Sequence, residues 1–217
     1  ILRLILGLES PQRGEILVDG EEMSRLPEKR KRELRKRIGM VFQDGALFDS
    51  LTVGENVGYY LLEHTKMSWE DISEKVIEML GFVGLIPEQV VDKLPEQLSG
   101  GMQRRVAIAR ALLSTNPSVM LYDEPTTGLD PQSTEMVLNL MNKLTREKQI
   151  STIAVTHQIA DAMTLTSRFL VIHCGEVAFD GPTNELRDCP DSRVREFLEP
   201  FMASIDLVIS RQFLHNR

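Results

Sequence analysis

The chain has 217 residues, enough for one large domain with a sizeable core. Apolar residues make up 42% and charged residues 26%, which excludes collagen-like and fully disordered classes. Net charge is −7, which argues against a protein that coats nucleic acid, and no nucleic-acid partner is expected.

The longest unbroken apolar runs, such as Val119–Tyr122 and Phe169–Ile172, are only a few residues long. A membrane-spanning helix needs roughly twenty. Cys174 and Cys189 are the only cysteines, too few for a disulfide framework, which fits a reducing compartment. The opening Ile-Leu-Arg-Leu-Ile-Leu has no basic n-region or cleavage-type tail, so it does not read as a signal peptide. It reads as a helix entered partway along.

Strand and helix patterns alternate along the chain. Gly14–Asp19 followed by Gly20 predicts a short strand and turn. Arg25–Arg37 holds eight basic and two acidic residues, a net of +6. The remainder is therefore −13. A solvated helix after Pro27 is expected there, with a phosphate or lipid-headgroup contact as the alternative. Ile38–Phe42 predicts a second strand. Ser68-Trp-Glu-Asp71 resembles a capping box ahead of a helix to about Leu80. Ser99–Leu113 predicts a helix with Val106, Ala109 and Leu113 on one face. Val119–Asp123 is a continuous apolar run, as expected of a parallel strand covered on both faces. Gln132–Lys148 predicts a helix turning Met136, Leu140, Met141 and Leu144 inward. Ile150–Thr156 and Phe169–His173 predict further buried strands, and Val177–Phe179 after a Cys-Gly turn a closing hairpin. Val194–Met202 predicts a last helix. This alternation argues an α/β fold with a mostly parallel sheet.

Chemistry-bearing residues fall at the ends of these elements. The strand Val119–Asp123 delivers Asp123 and Glu124 to the carboxyl edge of the sheet, where open α/β folds bind ligands. An acid there can hold Mg²⁺, and its neighbour can polarise an attacking water. Such acids also serve simply to cap a following helix. Ser99-Gly-Gly101 opens a helix whose unpaired N–H groups suit a phosphate. Helix capping explains Ser99-Gly100 but leaves the second glycine and the nearby Arg104, Arg105 and Arg110 without a role. His157 ends the strand after Ile153. Gln43 follows the strand Ile38–Phe42 with an amide that can ligate Mg²⁺ or water.

The order Gln43, Ser99-Gly-Gly101, Asp123-Glu124, Gly128-Leu-Asp130, His157 strongly resembles the nucleotide-binding domain of ATP-binding cassette transporters. Leu98-Ser-Gly-Gly-Met-Gln-Arg-Arg-Val-Ala-Ile-Ala-Arg-Ala111 is similar to the family signature. Leu121-Tyr-Asp-Glu-Pro-Thr-Thr-Gly-Leu-Asp130 is similar to its Walker B and D-loop. The resemblance implies a P-loop NTPase-like, mostly parallel sheet with helices on both faces, a helical signature subdomain and a partial antiparallel β subdomain. It implies ATP and Mg²⁺ as cofactors. It makes Glu124 the general base and His157 a switch residue near the γ-phosphate. Asp123 and Gln43 would hold Mg²⁺. Gln43, Ser99, Gly100, Gly101, Gln103 and Asp130 would contact nucleotide, with Ser99 and Gly101 reaching the nucleotide held mainly by a second subunit. It places the ATPase domain at residues 1–189, the helical subdomain at about 52–115 and a C-terminal extension at 190–217.

No G-x-x-x-x-G-K-[ST] occurs anywhere in the chain. That loop cradles phosphates through its backbone and supplies the Lys and Ser/Thr of the site. In relatives a stretch like Ile1–Leu8 follows it, so an N-terminal truncation is expected, and the chain as written is expected to be inactive alone.

Gln43–Val53 and Glu55-Asn-Val57 resemble the corresponding region of Mla-type cassettes, as does Asp191–Leu198 the segment after their last strand. Those cassettes serve phospholipid transport in Gram-negative bacteria and plastids. The implied partners are a transmembrane permease, a second nucleotide-binding subunit in a homodimer, a lipid-binding protein of the mammalian-cell-entry (MCE) type and a small accessory protein. The implied location is peripheral, on the cytoplasmic face of the inner membrane, or stromal in a plastid. Import of another solute, or a non-transport role in translation or DNA repair, remains the alternative.

Overall fold

The computed structural model describes residues 1–115, 117–202 and 205. They divide into two compact units, Ile1–Val155 and a second beginning at Thr156. The last residues of the expected C-terminal extension lie outside the described residues.

The first unit starts with α1 (Leu2–Ile5) and a hairpin of β1 (Leu17–Val18) and β2 (Glu21–Glu22). Asp19 and Gly20 turn it with φ of 51° and 80°, the left-handed pair that a tight two-residue hairpin needs. Then come α2 (Glu28–Arg35), β3 (Ile38–Val41), α3 (Val53–His64), α4 (Trp69–Phe82), α5 (Pro87–Val90) and α6 (Gly100–Thr115). The unit closes with β4 (Val119–Asp123), α7 (Pro131–Glu147) and β5 (Ser151–Val155).

Strands β3, β4 and β5 form a parallel sheet with β4 in the centre. Leu121 on one face of β4 packs with Ile38, Leu2 and Leu6, so α1 covers that side. Met120 and Tyr122 point to the other face and are fully buried as well. That double burial is why β4 reads as a continuous apolar run.

Helix α6 is the unit's core helix. It packs against α3, α4, α7 and β3. Gly101, Arg104, Val106, Ala107, Ile108, Ala109 and Leu112 are all buried, far more than the single face expected. Leu112, and not Leu113, closes the stripe. Helix α7 centres on Val137, Met141 and Leu144, each fully buried. Met136 was expected inside but is 43% exposed, because it lies off the stripe that those three residues define at four- and three-residue steps.

The basic stretch forms the solvated helix α2 with its flanks. Arg30 pairs with Glu21, Arg35 with Glu28, Lys36 with Glu33 and Arg37 with Asp19. Arg35 also donates to the Leu6 and Gly7 carbonyls at 2.8 and 3.1 Å, tying α2 to the end of α1. These acids answer most of the local charge, so the solvated reading fits better than the phosphate or headgroup contact.

Strand β5 differs from expectation: Ile153 and Val155 are 41% and 38% exposed. It is an edge strand of the described sheet, with a neighbour on one side only.

The second unit contains α8 (Ile159–Leu165), β6 (Arg168–His173), β7 (Glu176–Pro182), α9 (Thr183–Leu186) and α10 (Ser192–Leu198). Its core gathers Ile159, Met163, Leu186, Val194, Leu198 and Ile205. The expected hairpin turn at Cys174-Gly175 is present, both residues having positive φ. It pairs β6 with β7 as a separate antiparallel sheet. Strand β6 is therefore not a buried member of the parallel sheet. Leu170 and Ile172 are 51% and 46% exposed, since a two-stranded ribbon leaves one face uncovered.

Tyr122 carries a testable detail. Its hydroxyl is buried without a hydrogen-bond partner among the described residues, and burial pushes its pKa up. An orphaned buried hydroxyl costs about 1–3 kcal/mol. Tyr122→Phe is expected to raise the thermal midpoint by about 2–4 °C, the shift for about 1 kcal/mol in a chain of this size. A lowered midpoint in a melting experiment would show that the hydroxyl has a partner in solution.

Candidate functional site

The register of the parallel sheet aligns Val41 with Tyr122 and Asp123 with Val155. Strands β3 and β4 therefore end side by side. Gln43, two residues past β3, and Asp123, the last residue of β4, leave the same edge of the sheet. Gln43 is exposed and Asp123 half-buried.

Glu124 follows in a left-handed conformation, φ 47°. A non-glycine residue in this region carries about 1–3 kcal/mol of strain and persists only where its surroundings impose it. Two of those surroundings are visible. The Glu124 backbone N–H donates to the Val155 carbonyl at 2.9 Å. The Thr127 hydroxyl donates to Glu124 Oε2 at 2.9 Å. Gly128, φ 78°, then lets the chain turn toward α7. Asp130 caps that helix, its Oδ1 accepting from the Ser133 N–H at 2.9 Å. The Ser133 hydroxyl and amide hold the Asp130 carboxyl below the usual carboxylate range.

A second constellation forms at the start of α6. Ser99 Oγ accepts from the Met102 N–H at 3.3 Å, and the first turn contains no acidic residue. The N-terminal N–H groups and partial positive charge of this helix suit an anion. Gln103 gives its Nε2 to the Pro95 and Leu98 carbonyls at 2.9 and 3.3 Å, fixing how the chain enters the helix. The two glycines have separate neighbours. A Cβ on Gly100 would lie 3.3 Å from Leu129 Cδ2, and one on Gly101 only 2.5 Å from Ser133 Cβ. Gly101 is therefore needed for packing, and it sets the start of α6 directly against the start of α7. Ser99, Gly100 and Gly101 are thus brought together with the Leu129–Ser133 segment that holds Asp130.

His157 belongs to the second unit. It is exposed there, with its Nε2 3.2 Å from Gln158 Nε2. The Gln158 N–H donates to Thr156 Oγ1 at 3.0 Å just before α8.

The arginines of α6 have a different role from the phosphate contact that the sequence suggested. Arg104 is 5% exposed and donates to the Phe42 carbonyl at 2.6 Å. Arg110 donates to the Ala46 and Gly45 carbonyls at 2.8 and 2.9 Å and lies over the Phe48 ring at 5.7 Å. Arg105 donates to the Gly84 carbonyl at 2.6 Å. Burial lowers the pKa of all three guanidinium groups. Arg104 and Arg110 thus grip the loop that carries Gln43, at Phe42 on one side and at Gly45 and Ala46 on the other. Gly45 itself is buried, φ 73°, and a Cβ there would lie 3.6 Å from Ala107 Cβ.

Asn56 anchors the next segment. Fully buried, it accepts from the Phe48 N–H at 2.8 Å and donates to the Phe48, Leu51 and Thr52 carbonyls. Nothing in the sequence marks Asn56 as an anchor beyond its place in Glu55-Asn-Val57, where a polar residue is set inside an apolar helical stripe.

A family model described as ABC transporter matches residues 1–127, more than half of the chain. The chain belongs to the ABC transporter ATP-binding family. A methionine import ATP-binding protein, MetN, of Corynebacterium efficiens is 41% identical over 196 residues, covering 90% of this chain and 54% of that protein. The intermembrane phospholipid transport system ATP-binding protein MlaF of Haemophilus influenzae is 36% identical over 199 residues, covering 92% of this chain and 74% of that protein. A solved dimeric ATP-binding cassette in a post-hydrolysis state, bound to ADP and Pi, matches with a TM-score of 0.74 at 35% identity, covering 83% of this chain and 78% of that one. The chain spans about half the length of the methionine import relatives it matches. Like the solved ABC cassettes, it has a P-loop NTPase-type α/β fold with a parallel sheet. No helix among the described residues is long and apolar enough to cross a membrane.

The donor chemistry at the sheet edge fits Mg²⁺ in an ABC ATPase. A carboxylate and an amide oxygen are hard ligands, and Mg²⁺ takes one or two protein oxygens together with water and substrate phosphates. Asp123 and Gln43 are the residues that would hold it.

Proposed function

We propose that this chain is the ATP-hydrolysing subunit of an ABC transporter, acting as a dimer on a transmembrane permease. The supporting observation is the edge shared by β3 and β4, where Gln43, Asp123 and Glu124 leave neighbouring strands. Phosphoryl transfer depends mainly on positioning and on neutralising charge. Bound Mg²⁺ would supply charge neutralisation on the phosphate oxygens. Glu124, next in the chain after Asp123, orients and deprotonates the attacking water. The start of α6, with Ser99, Gly100 and Gly101, offers N–H groups to the γ-phosphate of nucleotide held mainly by a second copy. Asp130, between the Leu129 and Ser133 that adjoin that helix start, lies at the seam. His157 acts near the γ-phosphate. Hydrolysis therefore requires two copies, and the complex works from the cytoplasmic face of the membrane with the permease as a separate chain.

The finer reading is phospholipid transport, with an MCE-type binding protein as partner. It rests on the resemblance over Gln43–Val57 and on the MlaF match across 92% of the chain. Methionine import is the second reading, favoured by 41% identity to MetN. The genomic neighbourhood separates them. A permease gene beside an MCE-type gene supports the lipid reading, and a methionine-binding protein gene replaces it with import.

The ATPase assignment has its own test. None of the 217 residues forms a G-x-x-x-x-G-K-[ST] loop, so the chain as written is expected to show no turnover. Joined behind a relative's segment that carries this loop, it is expected to hydrolyse ATP in a phosphate-release assay. Robust hydrolysis by the chain alone would refute the phosphate-cradle argument, and a folded but silent fusion would count against the ATPase reading.

A further inference from the structure

We infer that Thr127 is a positioning residue for the general base Glu124, an inference that rests on the ATPase reading above. Glu124 is the last place where the sheet guides the chain. Its backbone is in the left-handed region, and its N–H is tied to Val155 of the neighbouring strand. Those constraints fix the Cα but leave the side-chain torsions to be set by something else. The Thr127 hydroxyl, 2.9 Å from Oε2, supplies a constraint at the carboxylate itself.

Thr127 is itself held. Thr126 is 4% exposed and its carbonyl accepts from the Leu129 N–H at 3.2 Å, so Thr127 sits inside a closed turn from Thr126 to Leu129. β-branching restricts the Thr127 side chain further. One carboxylate oxygen is thereby engaged as an acceptor, which restricts the directions that the carboxylate can take. A hydroxyl can do this without competing for the proton that the base removes. Restricting the base to the reactive geometry raises the fraction of time it is competent.

The test compares Thr127→Val, which keeps shape and branching but loses the donor, with Thr127→Ser, which restores the donor. Turnover and KM for ATP are measured in a hydrolytically active form, together with equilibrium ATP affinity and the unfolding midpoint of the nucleotide-free protein. Expected for Thr127→Val is a kcat lowered about tenfold, with KM, ATP affinity and midpoint unchanged; a tenfold loss corresponds to about 1.4 kcal/mol. Thr127→Ser is expected to recover most of the rate. If Thr127→Val turns over normally, the inference is wrong. If affinity and midpoint fall along with the rate, and Thr127→Ala behaves likewise, Thr127 merely stabilises the turn and the inference is again wrong. Glu124→Gln serves as the separate control: normal turnover in that variant overturns the assignment of the base, whatever Thr127 does.

Discussion

Replacing Glu124 with Gln is expected to cut ATP turnover by about 10²–10⁴-fold, the usual contribution of a positioned general base, while ATP binding persists. The substitution removes basicity and little else. Glutamine has the same length and keeps an oxygen to accept from the Thr127 hydroxyl. The N–H bond to Val155 is a backbone bond and does not depend on the side chain. The left-handed backbone at position 124 suits Gln no worse than Glu. The unfolding midpoint should therefore match the parent, and equilibrium ATP affinity should be retained. Single-turnover kinetics in a hydrolytic form separate binding from chemistry. Near-normal hydrolysis would mean that another group activates the water.

The second large effect is expected at Gly101. A Cβ there meets Ser133 Cβ and Oγ at 2.5 Å, and the Ser133 Cα at 3.4 Å. Rotating the Ser133 side chain moves Oγ but leaves Cβ in place, so Gly101→Ala forces the starts of α6 and α7 apart. Overpacking of this kind costs about 1–3 kcal/mol. Alanine recovers up to about 1 kcal/mol through its better helix propensity, so the clash wins. Turnover should suffer more than stability, because a misplacement approaching 1 Å can cost about 10² in rate. Ser133→Gly alone should affect turnover less than Gly101→Ala, since Asp130 loses the Ser133 hydroxyl but keeps the backbone N–H at position 133 that makes the cap. Combined with Gly101→Ala, it removes the obstructing Cβ and should restore much of the rate. An additive loss in the double variant would show that the contact between these helices is not the cause.

Much of this architecture is legible in the sequence because particular residues leave little choice. Val119–Asp123 cannot be solvated on either face, and its terminal acids mark the carboxyl edge of the sheet. Cys174-Gly175 and Asp19-Gly20 are turn pairs placed between short extended segments. The signature and the Asp123–Asp130 stretch announce the family. Other features depend on tertiary partners that periodicity cannot name. An apolar strand such as Ile150–Thr156 looks the same whether it is central or, as here, at an edge. Phe169–His173 has the composition of a parallel core strand, but the Cys174-Gly175 turn folds the next strand, Glu176–Pro182, back against it. Arg104 and Arg110 read as anion-binding residues because a guanidinium suits phosphate as well as it suits a carbonyl. Only the fold reveals that Phe42, Gly45 and Ala46 present their backbones to α6. Among the candidate site residues, Gln43, Asp123 and Glu124 follow from strand ends, whereas Thr127 has no signal beyond its place three residues after the proposed base.

The grip of α6 on the loop after β3 is made to main-chain carbonyls. Every residue offers that same carbonyl, so these hydrogen bonds do not depend on which side chains the loop carries, although Arg110 also lies over the Phe48 ring. Asp44 and Phe48 stay exposed beside it. Exposed positions of this loop such as Asp44 can therefore vary without loosening its main-chain attachment, provided that the two arginines and the compact Gly45 remain. Loop exchange between relatives that transport unrelated solutes should be tolerated by the fold for the same reason.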